Sequence, residues 1–198
     1  MITVVDYGMG NLRNVRRAFE LLGEDVLVTG EPEHLASAER LVLPGVGAFG
    51  EAVHRIDALG LRAPLVRHVS EGKPLLGICL GMQLLFESSE ESPGAAGLAC
   101  LEGVVRRFSP PLKVPHIGWN DVVPSGTSTL FPDGGGNSCC YFVHSFFVGE
   151  TAACTATTMY GVPFASAVQR GSLFGVQFHP EKSESDGQNI LKRFLDSR

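Results

Sequence analysis

The stretch from 73 to 87, Lys-Pro-Leu-Leu-Gly-Ile-Cys-Leu-Gly-Met-Gln-Leu-Leu-Phe-Glu, constrains the fold of this chain most strongly. Its first apolar run predicts a buried strand, and residues 80–87 have the apolar spacing of a helix packed on a sheet. Cys79 lies on the turn between them, flanked by Gly77 and Gly81 as Gly-x-Cys-x-Gly. This is the thiol counterpart of a nucleophile elbow, in which small neighbours allow a sharp turn.

The position of Cys79 suits a reactive thiol. The positive end of the helix dipole and the free N–H groups of a first helical turn favour the thiolate, which is the nucleophilic form. The alternative is a buried structural cysteine, since cysteine is among the residue types most often buried.

Composition restricts the classes of function. The 198 residues predict a single domain, 1–198, and the formal charge is 16 − 21 = −5 without a basic block, so nucleic acid is not an expected partner. The N-terminal sequence lacks a basic signal region, and the longest mostly apolar stretch, 75–86, is too short for a bilayer. We therefore expect no membrane association and a cytoplasmic protein.

The five cysteines are an odd number, and none of their spacings forms a Cys-x-x-Cys pair. This pattern predicts reduced thiols rather than a disulfide framework or a zinc site. No metal and no cofactor is expected.

The first half of the chain has the pattern of an α/β fold. Strands are predicted at 2–6, 25–29 and 40–43, with a helix whose apolar face begins at Leu12, so the chain opens as a parallel β-α-β unit. The third strand ends in Pro44-Gly-Val-Gly47, a glycine-rich loop at the end of a sheet where ligands bind, or else an ordinary tight turn.

The second half predicts strands added to that parallel core. Helices are expected at 49–56 and 63–71, and 87–97 is expected to be a surface loop. Short β-type runs follow, divided by turns that include the glycine-rich 132–137, and a helix ends the chain. These runs lie at 103–108, 119–123, 140–148, 152–158, 164–169 and 173–178. The expected fold is an open, mostly parallel twisted sheet flanked by helices, with added antiparallel strands.

His179-Pro-Glu181 follows the last predicted strand. A thiol nucleophile needs a base, and histidine titrates in the appropriate range. Glu181 could orient the imidazole as the acidic member of a triad does. The alternative is a solvated His and Glu in a turn.

Together these motifs resemble the class I (triad) glutamine amidotransferases, whose fold is flavodoxin-like. The resemblance rests on 77–83, 179–181 and 44–47 and covers nearly the whole chain. Three further stretches, 6–12, 114–120 and 141–145, resemble the branch of glutaminase subunits that serve imidazole glycerol phosphate synthase in histidine biosynthesis.

The resemblance implies site roles. Cys79 would attack the glutamine side-chain amide, with His179 as general acid and base and Glu181 as its orienting partner. The oxyanion would meet the N–H of Leu80 and the loop. The residues implied to bind the substrate are Gly45, Val46, Gly47, Leu80, Gln83, Glu91, Ser145 and Phe146. Phe146 stands where the family more often has tyrosine.

The branch also implies a partner, a separate (βα)8-barrel cyclase subunit that forms a heterodimer with this chain. The residues implied at that interface are Asn11, Trp119, Tyr141 and Lys182. Trp119 could equally be a core anchor, and Lys182 a plain surface residue. Glu184-Ser-Asp186 is more acidic than is usual for the branch. His116 and His144 are interpreted as structural or interface groups.

Two other functions remain open at this level. One is a stand-alone γ-glutamyl hydrolase, against which the 6–12 and 114–120 stretches argue. Another is an inactive scaffold that only binds the cyclase, against which the intact Cys79, His179 and Glu181 argue. A glutaminase subunit of another amidotransferase would share the triad.

Overall fold

The computed structural model describes residues 1–126, 128–132 and 136–197. Part of the predicted 132–137 loop, residues 133–135, therefore lies outside the described residues. The strands are β1 (Ile2–Val5), β2 (Val26–Thr29), β3 (Leu41–Leu43), β4 (Leu75–Ile78), β5 (Ser88–Ser89), β6 (Val104–Arg107), β7 (His116–Pro124), β8 (Ser138–His144), β9 (Phe146–Val148), β10 (Cys154–Tyr160), β11 (Val162–Arg170) and β12 (Leu173–Val176). The helices are α1 (Leu12–Leu21), α2 (Pro32–Ser37), α3 (Phe49–Ala58), α4 (Arg62–Ser70), α5 (Leu80–Gln83) and α6 (Glu184–Asp196).

The main sheet joins a parallel half to an antiparallel half. Its strand order is β2-β1-β3-β4-β12-β11-β10-β7-β8. The strands from β2 to β12 in this order run parallel, and those from β11 to β8 pair antiparallel. A small second sheet has the order β5-β6-β9. The predicted fold class is confirmed.

Apolar side chains cover both faces of the parallel half. Along β3, Leu41 and Leu43 point into one buried cluster, whereas Val42 points into the other. Helices α3 and α4 contribute to the first cluster, and α1 and α6 to the second. This two-sided burial explains why these strands appear as continuous apolar runs in the sequence.

The parallel strands place three loops at one edge of the sheet. β3, β4 and β12 are neighbours, so the chain segments that follow Leu43, Ile78 and Val176 leave the sheet side by side. These segments are the glycine-rich loop, the Cys79 turn and the approach to His179. The carboxyl edge of a parallel sheet is where such folds bind ligands.

The helix after Cys79 is shorter than predicted. It ends at Gln83 rather than at residue 87, because a distant segment takes over its carbonyl groups. The N–H of Leu98 donates to the carbonyl of Leu84, and that of Ala99 donates to the carbonyl of Phe86. The predicted surface loop at 87–97 also contains β5, which pairs with β6.

The predicted strand at 140–148 is divided at Ser145. β8 pairs with β7 in the main sheet, whereas β9 pairs with β6 in the small sheet. The carbonyl of Ser145 accepts from the N–H of Phe108 at this crossing point. β7 also begins at His116, three residues earlier than predicted, and helix α2 was not expected from the sequence.

β8 forms an edge of the main sheet, and the segment around His179 covers that edge. The N–H of Cys139 donates to Asp186 Oδ2 (2.7 Å), and the N–H of Tyr141 donates to Ser183 Oγ (3.0 Å). The carbonyl of Tyr141 accepts from the N–H of His179 (2.9 Å). Asp186 of the unusually acidic segment thus holds α6 against β8.

Candidate active site

Cys79 occupies the turn between β4 and α5 in a left-handed backbone conformation (φ 54°, ψ −109°). Residues other than glycine rarely adopt a backbone conformation with positive φ, and such backbone strain is characteristic of a nucleophile elbow. A Cβ on Gly77 would meet the carbonyl oxygen of Gly81 at 2.7 Å, and one on Gly81 would overlap the carbonyl oxygen of Leu43. The Gly-x-Cys-x-Gly pattern is therefore required by the packing.

The thiol of Cys79 is nearly buried, with 6% of the residue exposed. Gln177 Nε2 donates to Cys79 Sγ over 3.7 Å, and Sγ lies 3.9 Å from the carbonyl oxygen of Val143. All five cysteines are free thiols, as expected.

His179 and Glu181 form a buried pair beside Cys79. His179 Nδ1 lies 2.8 Å from Glu181 Oε1, and the two side chains are 3% and 1% exposed. A short 3₁₀ turn, Pro180–Lys182, sets this spacing. His179 Nε2 has no hydrogen-bond partner of normal geometry among the described residues, so it is free to exchange a proton.

Opposing effects act on the pKa of His179. Burial lowers it, because the charged form loses hydration, but interactions with Cys79 and Glu181 favour the imidazolium and outweigh burial. The net effect raises the pKa of His179 to about 10. The two neighbours of His179 thus favour its protonated form.

A cavity of about 330 Å³ opens beside the thiol. It collects most of the predicted site residues, which come from five separate segments of the chain. Those lining it are Val46, Gly47, Cys79, Leu80, Gln83, Glu91, Ser145, Phe146 and His179. Gly45 and Glu181 do not line the cavity. A Cβ added to Gly45 would lie 2.9 Å from the backbone nitrogen of Gly81, and Glu181 is paired with His179.

The comparisons with known proteins agree with this geometry. The family model for glutamine amidotransferase class-I matches residues 3–197. This chain belongs to that family. The chain is 48% identical over 195 residues to the imidazole glycerol phosphate synthase subunit HisH of Moorella thermoacetica, covering 98% of this chain and 93% of that protein. The HisH subunit of Methanothermobacter thermautotrophicus is 44% identical, with 99% and 98% covered.

Solved structures share the fold of this amidotransferase. A crystal structure of a glutamine amidotransferase has a TM-score of 0.79 at 21% identity, with 98% of this chain and 97% of that chain covered. The structure of PurLQS from Thermotoga maritima has a TM-score of 0.77 at 20% identity, with the same coverage. The family assignment and the fold predicted from the sequence are confirmed.

The glycine-rich loop of this amidotransferase is fixed at its base and open at its tip. The hydroxyl of Tyr7 donates to the carbonyl of Pro44 (2.9 Å), whereas Val46 is 42% exposed. Gly47 has φ +102°, which favours glycine. Val46 and Gly47 of this loop thus form part of the cavity wall.

Gln83 and Glu91 are held by protein contacts at the cavity wall. Gln83 Nε2 donates to the carbonyl of Phe146 and to Gln177 Oε1, each at 3.0 Å, which leaves its own carbonyl oxygen as an acceptor. Glu91 Oε2 accepts from the N–H of Phe49 (2.7 Å), the first residue of α3.

His116 and His144 form a buried pair, and His144 also lines the cavity. Their ring nitrogens lie 3.0 Å apart, and His144 Nδ1 lies 2.7 Å from the carbonyl of Phe146, so it donates there. Burial lowers the pKa of His116 to about 4 and that of His144 to about 3. Both are neutral at pH 7, in agreement with a structural role.

The four residues predicted at a partner interface differ in exposure. Trp119 is 50% exposed, so it is not a core anchor, and it contacts Tyr141 edge to face at a centroid distance of 6.1 Å. Lys182 is exposed, with Nζ 5.5 Å from the centroid of the Tyr141 ring. Asn11 immediately precedes α1, where its carbonyl accepts from the N–H of Val15.

Two contacts of the thiol, Gln177 and Val143, were not singled out from the sequence. The sequence does carry a signal for Gln177, which is a lone amide in the apolar run 173–178. A polar group buried in such a run needs a hydrogen-bond partner, which points to a polar contact at this position. Val143 contributes only a backbone carbonyl, for which a sequence carries no signal.

Within the described ranges, no helix is both long and apolar enough to cross a bilayer.

Proposed function

We propose that this chain is the glutaminase subunit of an imidazole glycerol phosphate synthase. It hydrolyses L-glutamine to glutamate and passes the ammonia to a separate cyclase subunit, which makes imidazole glycerol phosphate and the aminoimidazole carboxamide ribonucleotide in histidine biosynthesis. The observation that carries the proposal is the meeting of Cys79 and His179 at one cavity, with Glu181 paired to His179, in a chain whose full-length relatives are HisH subunits.

The first half-reaction forms a thioester. Glu181 accepts from His179 Nδ1, so Nε2 is the basic nitrogen and takes the proton of the Cys79 thiol. The sulfur attacks the side-chain amide carbon of glutamine, and the carbonyl becomes an oxyanion. When the C–N bond breaks, His179 returns the proton to the departing nitrogen and ammonia is released.

The second half-reaction regenerates the thiol. Water attacks the γ-glutamyl thioester while His179 accepts a proton from it, and the C–S bond breaks. The proton then returns to Cys79 sulfur, and glutamate leaves.

The oxyanion needs two N–H donors near Cys79. Leu80 supplies one, since the first N–H groups of α5 have no intrahelical partner. The loop of Gly45, Val46 and Gly47 supplies the other, because its glycines let a backbone amide turn toward the cavity.

The amino-acid end of glutamine binds at the far wall of the cavity. The free carbonyl oxygen of Gln83 and the carboxylate of Glu91 suit the substrate ammonium group. The backbone of Ser145 and Phe146 completes the wall, so Phe146 contributes there without the tyrosine hydroxyl.

The cyclase would dock on the surface that carries Asn11, Trp119, Tyr141 and Lys182, in a cytoplasmic heterodimer. Exposed aromatic residues of this kind are enriched in protein interfaces. Residues 1–198 would act as one amidotransferase domain, which the family match over 3–197 supports.

The test measures glutamate release from glutamine by the chain alone, and then with the cyclase subunit and its nucleotide ligand. We expect strong activation by the partner, abolished by Cys79→Ala. Cys100→Ala is the matched control, because Cys100 is also 6% exposed but lies outside the cavity.

Other outcomes would overturn the proposal. Full activity without the partner would identify a stand-alone γ-glutamyl hydrolase. No activity under any condition would leave a scaffold, and activation by the partner of a different amidotransferase would reassign the subunit.

A further inference from the structure

Gln177 is the fully buried residue that follows β12, and its side chain contacts the elbow. Its side-chain nitrogen lies 3.7 Å from Cys79 Sγ, and the residue is 0% exposed. The neighbouring carbonyl of Val176 accepts from the N–H of Cys79 at 2.8 Å. We propose that Gln177 is a positioning residue that holds the Cys79 sulfur as a thiolate by donating a hydrogen bond to it. This inference rests on the proposed glutaminase function.

The direction of that hydrogen bond follows from a backbone carbonyl. The oxygen of Phe146 can only accept, so the amide group of Gln83 that faces it at 3.0 Å must be the NH₂ group. The same Gln83 nitrogen lies 3.0 Å from the Gln177 side chain, which must therefore present its carbonyl oxygen there. The NH₂ group of Gln177 is left to face the sulfur.

A donor aimed at the sulfur stabilises the thiolate over the thiol. When the proton leaves for His179 Nε2, the sulfur becomes an anion on a residue that is only 6% exposed. A hydrogen bond to a charged acceptor is stronger than one to a neutral acceptor, so Gln177 favours the deprotonated form. Apart from His179, the other group that the described residues bring to the sulfur is the carbonyl of Val143 at 3.9 Å, which is an acceptor and cannot supply this.

The Gln177 side chain has little freedom to turn away. The backbone N–H of Gln177 donates to the carbonyl of Ser166 at 2.9 Å, which fixes the backbone against β11. The side-chain carbonyl oxygen of Gln177 accepts from Gln83 Nε2. Gln83 also lines the cavity. The Cys79 sulfur is thus connected through the amide of Gln177 to Gln83, which is part of the cavity wall.

The test measures how the rate of alkylation of Cys79 by iodoacetamide in the complete chain depends on pH. The alkylated Cys79 peptide is quantified by mass spectrometry. Gln177→Met keeps an unbranched side chain but removes the donor. We expect the midpoint of the pH profile to rise by about one unit, so that alkylation at a fixed pH below it slows about tenfold.

Ser166→Ala is the matched control. Ser166 is equally buried and adjacent to Gln177, and its hydroxyl has no hydrogen-bond partner among the described residues. The midpoint of the pH profile in Ser166→Ala should equal that in the wild-type chain. A folded Gln177→Met chain with an unchanged midpoint would overturn the proposal.

A second variant decides the matter if Gln177→Met does not fold. Gln83→Met removes the donor that fixes the Gln177 amide, so the midpoint should rise by less than the amount expected for Gln177→Met. An unchanged midpoint would refute the proposed direction of the hydrogen bond from Gln177 to the sulfur. The alkylation assay needs neither glutamine nor a partner. Loss of the proposed glutaminase function would therefore leave these midpoint shifts unaffected, and the two failures can be distinguished.

Discussion

Glu181 is one of the two neighbours, with Cys79, that raise the pKa of His179. It lies 2.8 Å from His179 in a pair that is almost fully buried, and the pKa of His179 is raised to about 10 from an ordinary value of 6.5. A histidine with a raised pKa binds its proton more tightly in the folded chain. Its contribution to stability is therefore fully present below about pH 6.5 and is lost as the pH rises through about 10.

Replacing Glu181 with glutamine tests this linkage. Glu181→Gln removes the charge that favours the imidazolium, so the free energy of unfolding should fall by about 2 kcal/mol at pH 6. The loss should be smaller at pH 9.5. Urea denaturation at both pH values measures it, with exposed Glu33→Gln as the control. Equal losses at the two pH values would contradict the assignment.

At the scale of elements, β8 and the His179 segment are joined by Ser183. Its hydroxyl accepts from the N–H of Tyr141 and donates to the carbonyl of His179 (2.7 Å). One side chain therefore connects an edge strand to His179, the proposed general acid and base.

Ser183→Ala should weaken this connection. Because the N–H of Tyr141 and the carbonyl of His179 would each lose a partner, we expect the free energy of unfolding to fall by about 1–3 kcal/mol, with a lower kcat for glutaminase turnover. Urea denaturation and steady-state kinetics measure the two effects. Exposed Ser70→Ala is the control, and wild-type stability and kcat in Ser183→Ala would show that the connection is dispensable.

Periodicity predicted the parallel strands because each is buried on both faces, which leaves a continuous apolar run. It was wrong at 140–148, because both pieces around Ser145 have β-type residues and only their different partners, β7 and β6, separate them. The early end of α5 was equally unpredictable, since it depends on hydrogen bonds from residues 97–101. Long-range pairing leaves little trace in local sequence.

The motifs of the candidate site could be predicted because its chemistry depends on a few residue types at fixed spacing. Cys79 between two glycines and the His179-Pro-Glu181 run carry a strong signal together, although each alone left a structural alternative open. The contact between Gln177 and the sulfur could not be predicted, since it requires knowing that β4 and β12 are neighbours.

At the scale of the whole molecule, Trp119 connects the proposed site to the proposed partner. It is half exposed and contacts mainly Tyr141 among the aromatic residues described, so it contributes little to the core. Large aromatic side chains are frequent hot spots in interfaces.

Trp119→Ala should therefore separate binding from stability. We expect the Kd for the cyclase subunit to rise about 30-fold or more, which corresponds to about 2 kcal/mol, while the free energy of unfolding changes by less than about 1 kcal/mol. Calorimetric titration and urea denaturation measure these quantities. Leu59→Ala is the control, because Leu59 is comparably exposed (46%) after α3. An unchanged Kd would exclude Trp119 from the interface.

The position of β8 has a consequence for how such chains diversify. One edge of this strand pairs with β7, which carries Trp119, and its other edge contacts His179 and Cys79 through the backbone of Tyr141 and Val143. Recombination that exchanged the docking strands between two relatives would also exchange the backbone groups that contact Cys79 and His179. With the proposed interface and the proposed catalytic roles, partner choice and turnover would be inherited together, and a new partner specificity would arise by side-chain substitution on an unchanged β8 backbone.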